Sequence, residues 1–152
     1  MNKKILSIAI LIIVTVLVSA LSIGAQDIKG TIHVKVTGIL VKQGGNLIFA
    51  LYNSESSWLV LKKIYASKAV KVTSDTVTAA FENIPYADSY ALFVFHDAKG
   101  NNKLDFYTFP FPRPKEGVAV SNNAVRFGEP RYRQARFSIN SPEYFMELKM
   151  HY

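Results

Sequence analysis

The chain has 152 residues, room for one domain with little left over. Its 18 basic and 11 acidic side chains give a formal net charge of +7, and it contains no cysteine. Disulfides and a lipid-modified cysteine are therefore excluded, so a lipoprotein is not expected and stability has to come from a packed core.

The basic start Met1-Asn2-Lys3-Lys4 precedes an apolar run from Ile5 to Val18, interrupted by Ser7 and Thr15. Small residues then gather at Ser19, Ala20, Ser22, Gly24 and Ala25. This order predicts a secretory signal peptide over 1–25, cleaved after Ala25 with Ala20 as second choice, and a mature domain over 26–152. The rival reading is an uncleaved anchor, because Ile5–Ile23 approaches the ~20 apolar residues that span a bilayer. No basic cluster flanks its far side, which favours cleavage and leaves no membrane span. Losing Lys3 and Lys4 takes the 18 basic side chains to 16 against 11 acidic ones, about +5. A periplasmic or extracellular chain of that charge is expected to meet anionic envelope glycans or lipid headgroups, not nucleic acid.

Ile28 to Ile39 alternates, with Ile28, Ile32, Val34 and Val36 on one side and Lys29, Thr31, His33, Lys35 and Thr37 on the other. That period predicts a half-buried strand. Gln43-Gly44-Gly45-Asn46 is a turn cluster. Leu47 to Tyr52 is apolar on both faces, which suits a strand covered from two sides. Trp58 to Ile64 reads as a short helix or an irregular crossing, and Ala69 to Thr73 as an edge strand. Thr76 to Phe81 alternates again, with Val77, Ala79 and Phe81 inward. Asn83 to Asp88 predicts a turn, and Tyr90 to Phe95 the most apolar, central strand. Ala135, Phe137 and Ile139 alternate once more. After the Asn140-Ser141-Pro142 turn, Met146, Leu148, Met150 and Tyr152 alternate with Glu147, Lys149 and His151.

Between Tyr90–Phe95 and Ala135–Ile139 lies His96 to Pro130, which sustains neither period and holds four of the six prolines and three of the eight glycines. Its aromatics Phe106, Tyr107, Phe109 and Phe111 argue against disorder, so it reads as one long ordered loop presented by the scaffold. Seven short strands with almost no helical periodicity predict an all-β fold: a single antiparallel β-sandwich, immunoglobulin-like or transthyretin-like.

Several stretches then carry a resemblance. Phe81-Glu82-Asn83-Ile84-Pro85, Tyr90-Ala91, Phe95-His96-Asp97 and Lys103-Leu104-Asp105 are similar to the DUF2141 proteins. Pro114-Lys115-Glu116-Gly117, Ser121-Asn122-Asn123-Ala124 and Phe127-Gly128-Glu129-Pro130 continue the likeness. It implies an exported bacterial β-sandwich and supplies no activity. The family's loop reads Asp-x-Asn-x-Asn-Gly-x-Leu-Asp, whereas here Lys99 replaces an oxygen donor and Asn102 replaces the glycine. Asn tolerates left-handed backbone, so the loop shape is expected to persist. The turn before Tyr90 also lacks the family's glycine and is about one residue longer.

Asp97, Asn101 and Asp105 are the candidate metal ligands, since oxygen donors at regular spacing wrap Ca2+. Lys99 opposes this, because its ammonium repels a cation and can pair with Asp97 or Asp105; the alternative is a hydrogen-bonded Asx-type turn. His33 and His151 fall on polar strand faces and read as solvated. His96 beside Asp97 suggests acid–base chemistry, but neighbours on a strand point to opposite faces. No nucleophile elbow or zinc-protease motif accompanies them. Tyr107, Phe109 and Phe111, with Arg131, are the candidate ligand-binding residues, a stacking platform for a sugar or peptide that Trp58 and Tyr132 extend. The competing reading packs these rings onto the sandwich. Arg126, Arg131, Arg133 and Arg136 form a basic cluster, which pairing with Glu116 or Glu129 would neutralise.

The leading functional expectation is a non-enzymatic exported module that binds an envelope protein or glycan through residues 96–130. The alternatives are a hydrolase around His96, Asp97 and Asp105, and a structural module of a cell-surface assembly.

Overall fold

The computed structural model describes residues 28–108, 113–125 and 128–152. The leader expected over 1–25 lies outside them. The strands are β1 (Lys29–Thr37), β2 (Asn46–Tyr52), β3 (Ala66–Lys71), β4 (Thr76–Pro85) and β5 (Ala87–Asp97). They continue as β6 (Phe106–Tyr107), β7 (Arg113–Pro114), β8 (Val118–Val120), β9 (Phe137–Ile139) and β10 (Glu143–Lys149), with one helical turn, α1 (Tyr132–Ala135). Two sheets stack: β10-β1-β4, and β3-β2-β5-β8 with β9 also against β5. β6 and β7 form a separate two-stranded arm. Strand pairs are antiparallel except β1 with β10, which run parallel. No hairpin joins these two, so no tight turn dictates their direction.

Period-two burial builds the core. Ile32, Val34 and Val36 of β1 face inward, flanked by Phe81, Ala79 and Val77 of β4 and by Tyr144, Met146 and Leu148 of β10. Leu47, Phe49 and Leu51 of β2 and Tyr90, Leu92 and Val94 of β5 meet them from the larger sheet. Each fully buried aliphatic or Phe side chain contributes on the order of 1.5–3 kcal/mol. Ile28 departs from the expected alternation, because it precedes β1 and is exposed.

β2 and β5 are apolar on both faces because the larger sheet is covered twice. Ala50, Tyr52, Ala91, Phe93 and Phe95 face away from the inner core and join Val120, Tyr132 and Ala135 in a second cluster. The cover over them includes α1 and the stretch after β2, where 3-10 turns at Glu55–Ser57 and Leu61–Lys63 make an irregular crossing. Trp58 fastens the two: its indole N–H donates to the Pro130 carbonyl at 2.7 Å. Its ring meets Tyr52, Phe93 and Tyr132 edge-on at 5.3, 6.3 and 5.8 Å.

Three expectations are corrected. The Asn83–Asp88 turn shrinks to Tyr86, since β4 runs to Pro85 and β5 starts at Ala87. The register slips where Gly30 to Ile32 on β1 faces Ile84 to Phe81 on β4. Asn83, with φ 59°, lies in this bulge, which lets both Phe81 and Ile84 face the core. The edge strand β3 occupies 66–71 instead of 69–73.

The third correction is the largest: residues 96–130 are not one irregular excursion. β5 continues to Asp97, and Val118-Ala119-Val120 joins the larger sheet opposite Phe95, Val94 and Phe93. Three residues are too few for a period to be read. β8 and β9 lie end to end along the same side of β5, and Ser121 bridges the gap between them. Its hydroxyl accepts the Leu92 N–H at 2.9 Å and donates to the Ala135 carbonyl at 2.5 Å. Asn122 and Asn123 follow in left-handed conformation, with φ 59° and 50°. The Asn122 amide donates to the carbonyls of Gln134 and Arg136. The Asn123 amide takes the Lys149 N–H and donates to the Glu147 carbonyl, copying a neighbouring strand along β10. Among the described residues, no helix is long and apolar enough to cross a membrane.

Candidate functional site

The irregular end of the molecule starts where β5 ends. His96 is fully buried. Its Nε2 lies 2.6 Å from the Gly44 carbonyl, which only accepts, so Nε2 carries the hydrogen. Nδ1 then accepts from the Tyr152 hydroxyl at 2.7 Å, and that hydroxyl accepts the Leu40 N–H at 2.9 Å. Every polar atom of the imidazole is spent on tying three chain segments together. Gly45 is required beside it: with φ +74°, its added Cβ would overlap the Asp97 carbonyl and meet Ala98 Cα at 2.6 Å.

Asp97 is also fully buried. Its two oxygens accept the N–H groups of Asn101, at 3.0 Å, and Asn102, at 2.7 Å. Asn101 Oδ1 accepts the Lys103 N–H at 2.9 Å, and the Lys99 ammonium pairs with Asp105 Oδ2. Asn102 has φ 56°, the backbone expected of it in place of the family's glycine. Asp97, Asn101 and Asp105 therefore belong to one turn, and each gives oxygen lone pairs to the chain's own donors. Among the described residues, no group of three or more His, Asp or Glu side chains is spaced to hold a metal ion. The Lys99 hydrogen bond holds the Asp105 carboxyl below its usual range against the opposing effect of burial, helped by the charges of Lys99, Lys115 and Lys103. Asp105 in turn pushes the Lys99 ammonium up, with smaller help from Glu116 and Tyr107.

Glu116 was not marked by sequence reasoning as part of this turn. It is 6% exposed, its Oε2 accepts the Asp105 N–H at 3.4 Å, and its Oε1 is buried with no hydrogen-bond partner. The available signal was a carboxylate set between proline and glycine in a mostly basic stretch.

Beyond this turn the arm projects, Phe106 opposite Pro114 and Tyr107 opposite Arg113. The expectation that these rings pack onto the sandwich fails for the two described ones. Phe106 is 51% and Tyr107 45% exposed, because a two-stranded arm is a single layer whose faces lie open. The Arg113 guanidinium lies 4.9 Å from the Tyr107 ring centroid and the Lys115 ammonium 5.2 Å, within cation–π range. Phe109 and Phe111 fall outside the described residues.

The remaining candidates are dispersed. Trp58 and Tyr132 belong to the cover layer, with the Tyr132 hydroxyl on the Ser89 carbonyl at 2.5 Å. Arg131 sits exposed at the start of α1, where its carbonyl accepts the N–H groups of Gln134 and Ala135. Arg133 faces Glu55 at 3.6 Å and not Glu116 or Glu129, and borders with Arg136 a polar groove of ≈ 480 Å³. Arg126 lies outside the described residues. His33 stacks on Phe145 at 4.6 Å and pairs with Glu143 on the outer face of the smaller sheet. His151 exchanges backbone hydrogen bonds with Val118 at 2.7 and 2.9 Å.

Fold and site together define a β-sandwich, covered on one outer face, that carries an aromatic arm flanked by cations. The chain belongs to the DUF2141 family, described as "Uncharacterized protein conserved in bacteria", which matches residues 34–145. No curated protein and no solved structure matches the chain.

Proposed function

We propose that the mature chain is an exported, non-enzymatic binding module whose β6–β7 arm takes an anionic envelope glycan. The observation that carries this reading is Tyr107, a half-exposed ring with Arg113 and Lys115 within 5.2 Å of its centroid. Lys103 is also exposed nearby, while of the acidic neighbours Asp97 and Glu116 are buried and Asp105, half-buried, is paired with Lys99. Such an array meets the carboxylates and the apolar ring faces of an acidic sugar together. The saturated hydrogen bonding of buried His96 and Asp97 supports a binding role over hydrolysis. The export component rests on the residue order of the leader.

Calorimetric titration of the mature chain with a uronic-acid oligosaccharide and with a neutral oligosaccharide of equal length tests this. Binding is expected for the acidic sugar, weakening as salt rises. Tyr107→Ala and Arg113→Ala are each expected to lower affinity several-fold to ten-fold, about 1 kcal/mol. Equal affinity for the neutral sugar, or no loss in either variant, would overturn the reading. So would turnover of glycoside, ester or peptide substrates.

A further inference from the structure

A sheet edge with bare backbone groups is a template for another strand, and natural β-proteins blunt such edges. Most edges of this sandwich are blunted. β3 carries the exposed Lys68 and Lys71. On β10, Asn123 and the Ser141 hydroxyl occupy backbone groups. β8 exchanges hydrogen bonds between Val118 and His151, and β9 is only three residues long. β4 is the exception. It is the outer strand of the smaller sheet, and among the described residues no strand pairs with its far side. From Thr76 to Phe81 it has no charge, proline or glycine.

The register fixes which of its groups are open. The Thr31 N–H donates to the Pro142 carbonyl at 2.8 Å, and the Thr37 carbonyl accepts the Met150 N–H at 2.9 Å. Odd-numbered residues of β1 therefore turn their backbone towards β10, and Val34 and Val36 turn theirs towards β4. There they face Ala79 and Val77 as hydrogen-bonded pairs. Thr78 and Ala80 alternate with these two, so their N–H and C=O groups point outward from the sheet.

We propose that β4 pairs antiparallel with β4 of a second copy of this chain, about a two-fold axis at Ala79, so that two smaller sheets become one of six strands. In that register Thr78 lies opposite the partner's Ala80 and Ala80 opposite the partner's Thr78. Both are hydrogen-bonded pairs, so the four outward groups of each chain are all satisfied. Val77 meets the partner's Phe81 on the inner side, which carries both apolar cores across the join. Thr76 meets the partner's Glu82, and no like charges stand opposite each other. Thr78, Ala79 and Ala80 are small, so nothing at the centre holds the two backbones apart. The bulge at Asn83 bends the strand and ends the pairing. A two-fold contact of this kind is closed, so it stops at a dimer. The assignment is independent of any glycan on the arm.

Sedimentation of the mature chain over a wide concentration range, without sugar, is expected to show a reversible twofold rise in mass. Thr78→Pro removes one outward N–H and no bond to β1, a place where an edge strand tolerates proline. That variant is expected to fold, by circular dichroism, and to stay monomeric. The chain has no cysteine, so an introduced one reports the register directly. Pairing at Ala79 brings the two Cα atoms to about 4.5 Å, within disulfide reach. Ala79→Cys is therefore expected to form a cross-linked dimer on mild oxidation, and Lys68→Cys, on the guarded edge, is not. Should Thr78→Pro fail to fold, the two cysteine variants decide alone. A single mass at every concentration would overturn the assignment and leave the edge to a foreign strand. A dimer that persists in Thr78→Pro, or Lys68→Cys cross-linking as readily as Ala79→Cys, would overturn it too.

Discussion

Ser121 shows how one side chain settles a problem of the backbone. The larger sheet changes partner along β5, from β8 to β9, and the Leu92 N–H falls at the junction. The Ser121 hydroxyl accepts it and passes its own hydrogen to the Ala135 carbonyl. Ser121→Ala therefore leaves a buried N–H without a partner. The expected cost is about 1–3 kcal/mol, read as a lower urea midpoint at unchanged slope. Asn122 and Asn123 work by the same logic on α1 and on β10. The family-like Ser121-Asn122-Asn123 run thus has a structural account in full, with no catalytic role assigned to any of the three. His96 belongs with them, since both of its nitrogens serve the joint between Gly44, Tyr152 and β5.

At the scale of elements, two devices place the arm. The Gly44–Gly45 turn packs against the last residues of β5, so that β5 ends at one defined point. The arm then starts from a turn closed by Asp97 and by the Lys99–Asp105 pair. Gly45→Ala puts a side chain where φ is +74° and where the Ala98 backbone stands 2.6 Å away. Left-handed backbone alone costs about 1–2 kcal/mol for such a residue, and the overlap adds to it. Melting well below the unaltered chain is expected, whereas Gly44→Ala, whose Cβ meets nothing within 4 Å, should show little beyond the backbone cost. Equal melting temperatures for Gly45→Ala and the unaltered chain would show that the turn does not bear on β5.

The molecule as a whole is held by two apolar layers on either side of the β3-β2-β5-β8 sheet, and each contains a buried phenol. Burial pushes the Tyr52 hydroxyl, in the outer layer, up to about 12. Burial, then the neighbouring Tyr65, pushes that of Tyr90, in the inner core, to about 12 as well. The folded state therefore favours the neutral phenol. This contribution is complete below the ordinary value of 10.0 and is lost as pH rises through about 12, because the unfolded chain releases those protons first. The melting temperature is expected to fall across that alkaline window, with phenolate absorbance of the folded chain rising only near its upper end. A flat melting temperature over the same window would show that neither ring is sealed from water.

Period two in the sequence was enough for β1, β4 and β10 and for the inward positions Ile32, Val34, Val36, Val77 and Phe81, while β2 and β5 were legible as continuous apolar runs. The period suffices because burial on one face acts residue by residue and leaves its mark in the local order of apolar and polar side chains. The double coverage of β2 was legible from the loss of that alternation, since both of its faces are apolar. Lys99 beside Asp97 and Asp105 was also legible as a local conflict of charge. Tertiary structure alone decided that β1 pairs in parallel with β10, that Asn83 lies in the bulge bringing Ile84 to the core, and that the three-residue β8 lies along β5. It likewise decided that Glu116 turns inward to Asp105 while Tyr107 stays open. These outcomes depend on partners brought together by folding, such as Ser121 with Leu92, 29 residues apart, and no local pattern of apolar residues encodes which distant donor an oxygen will meet.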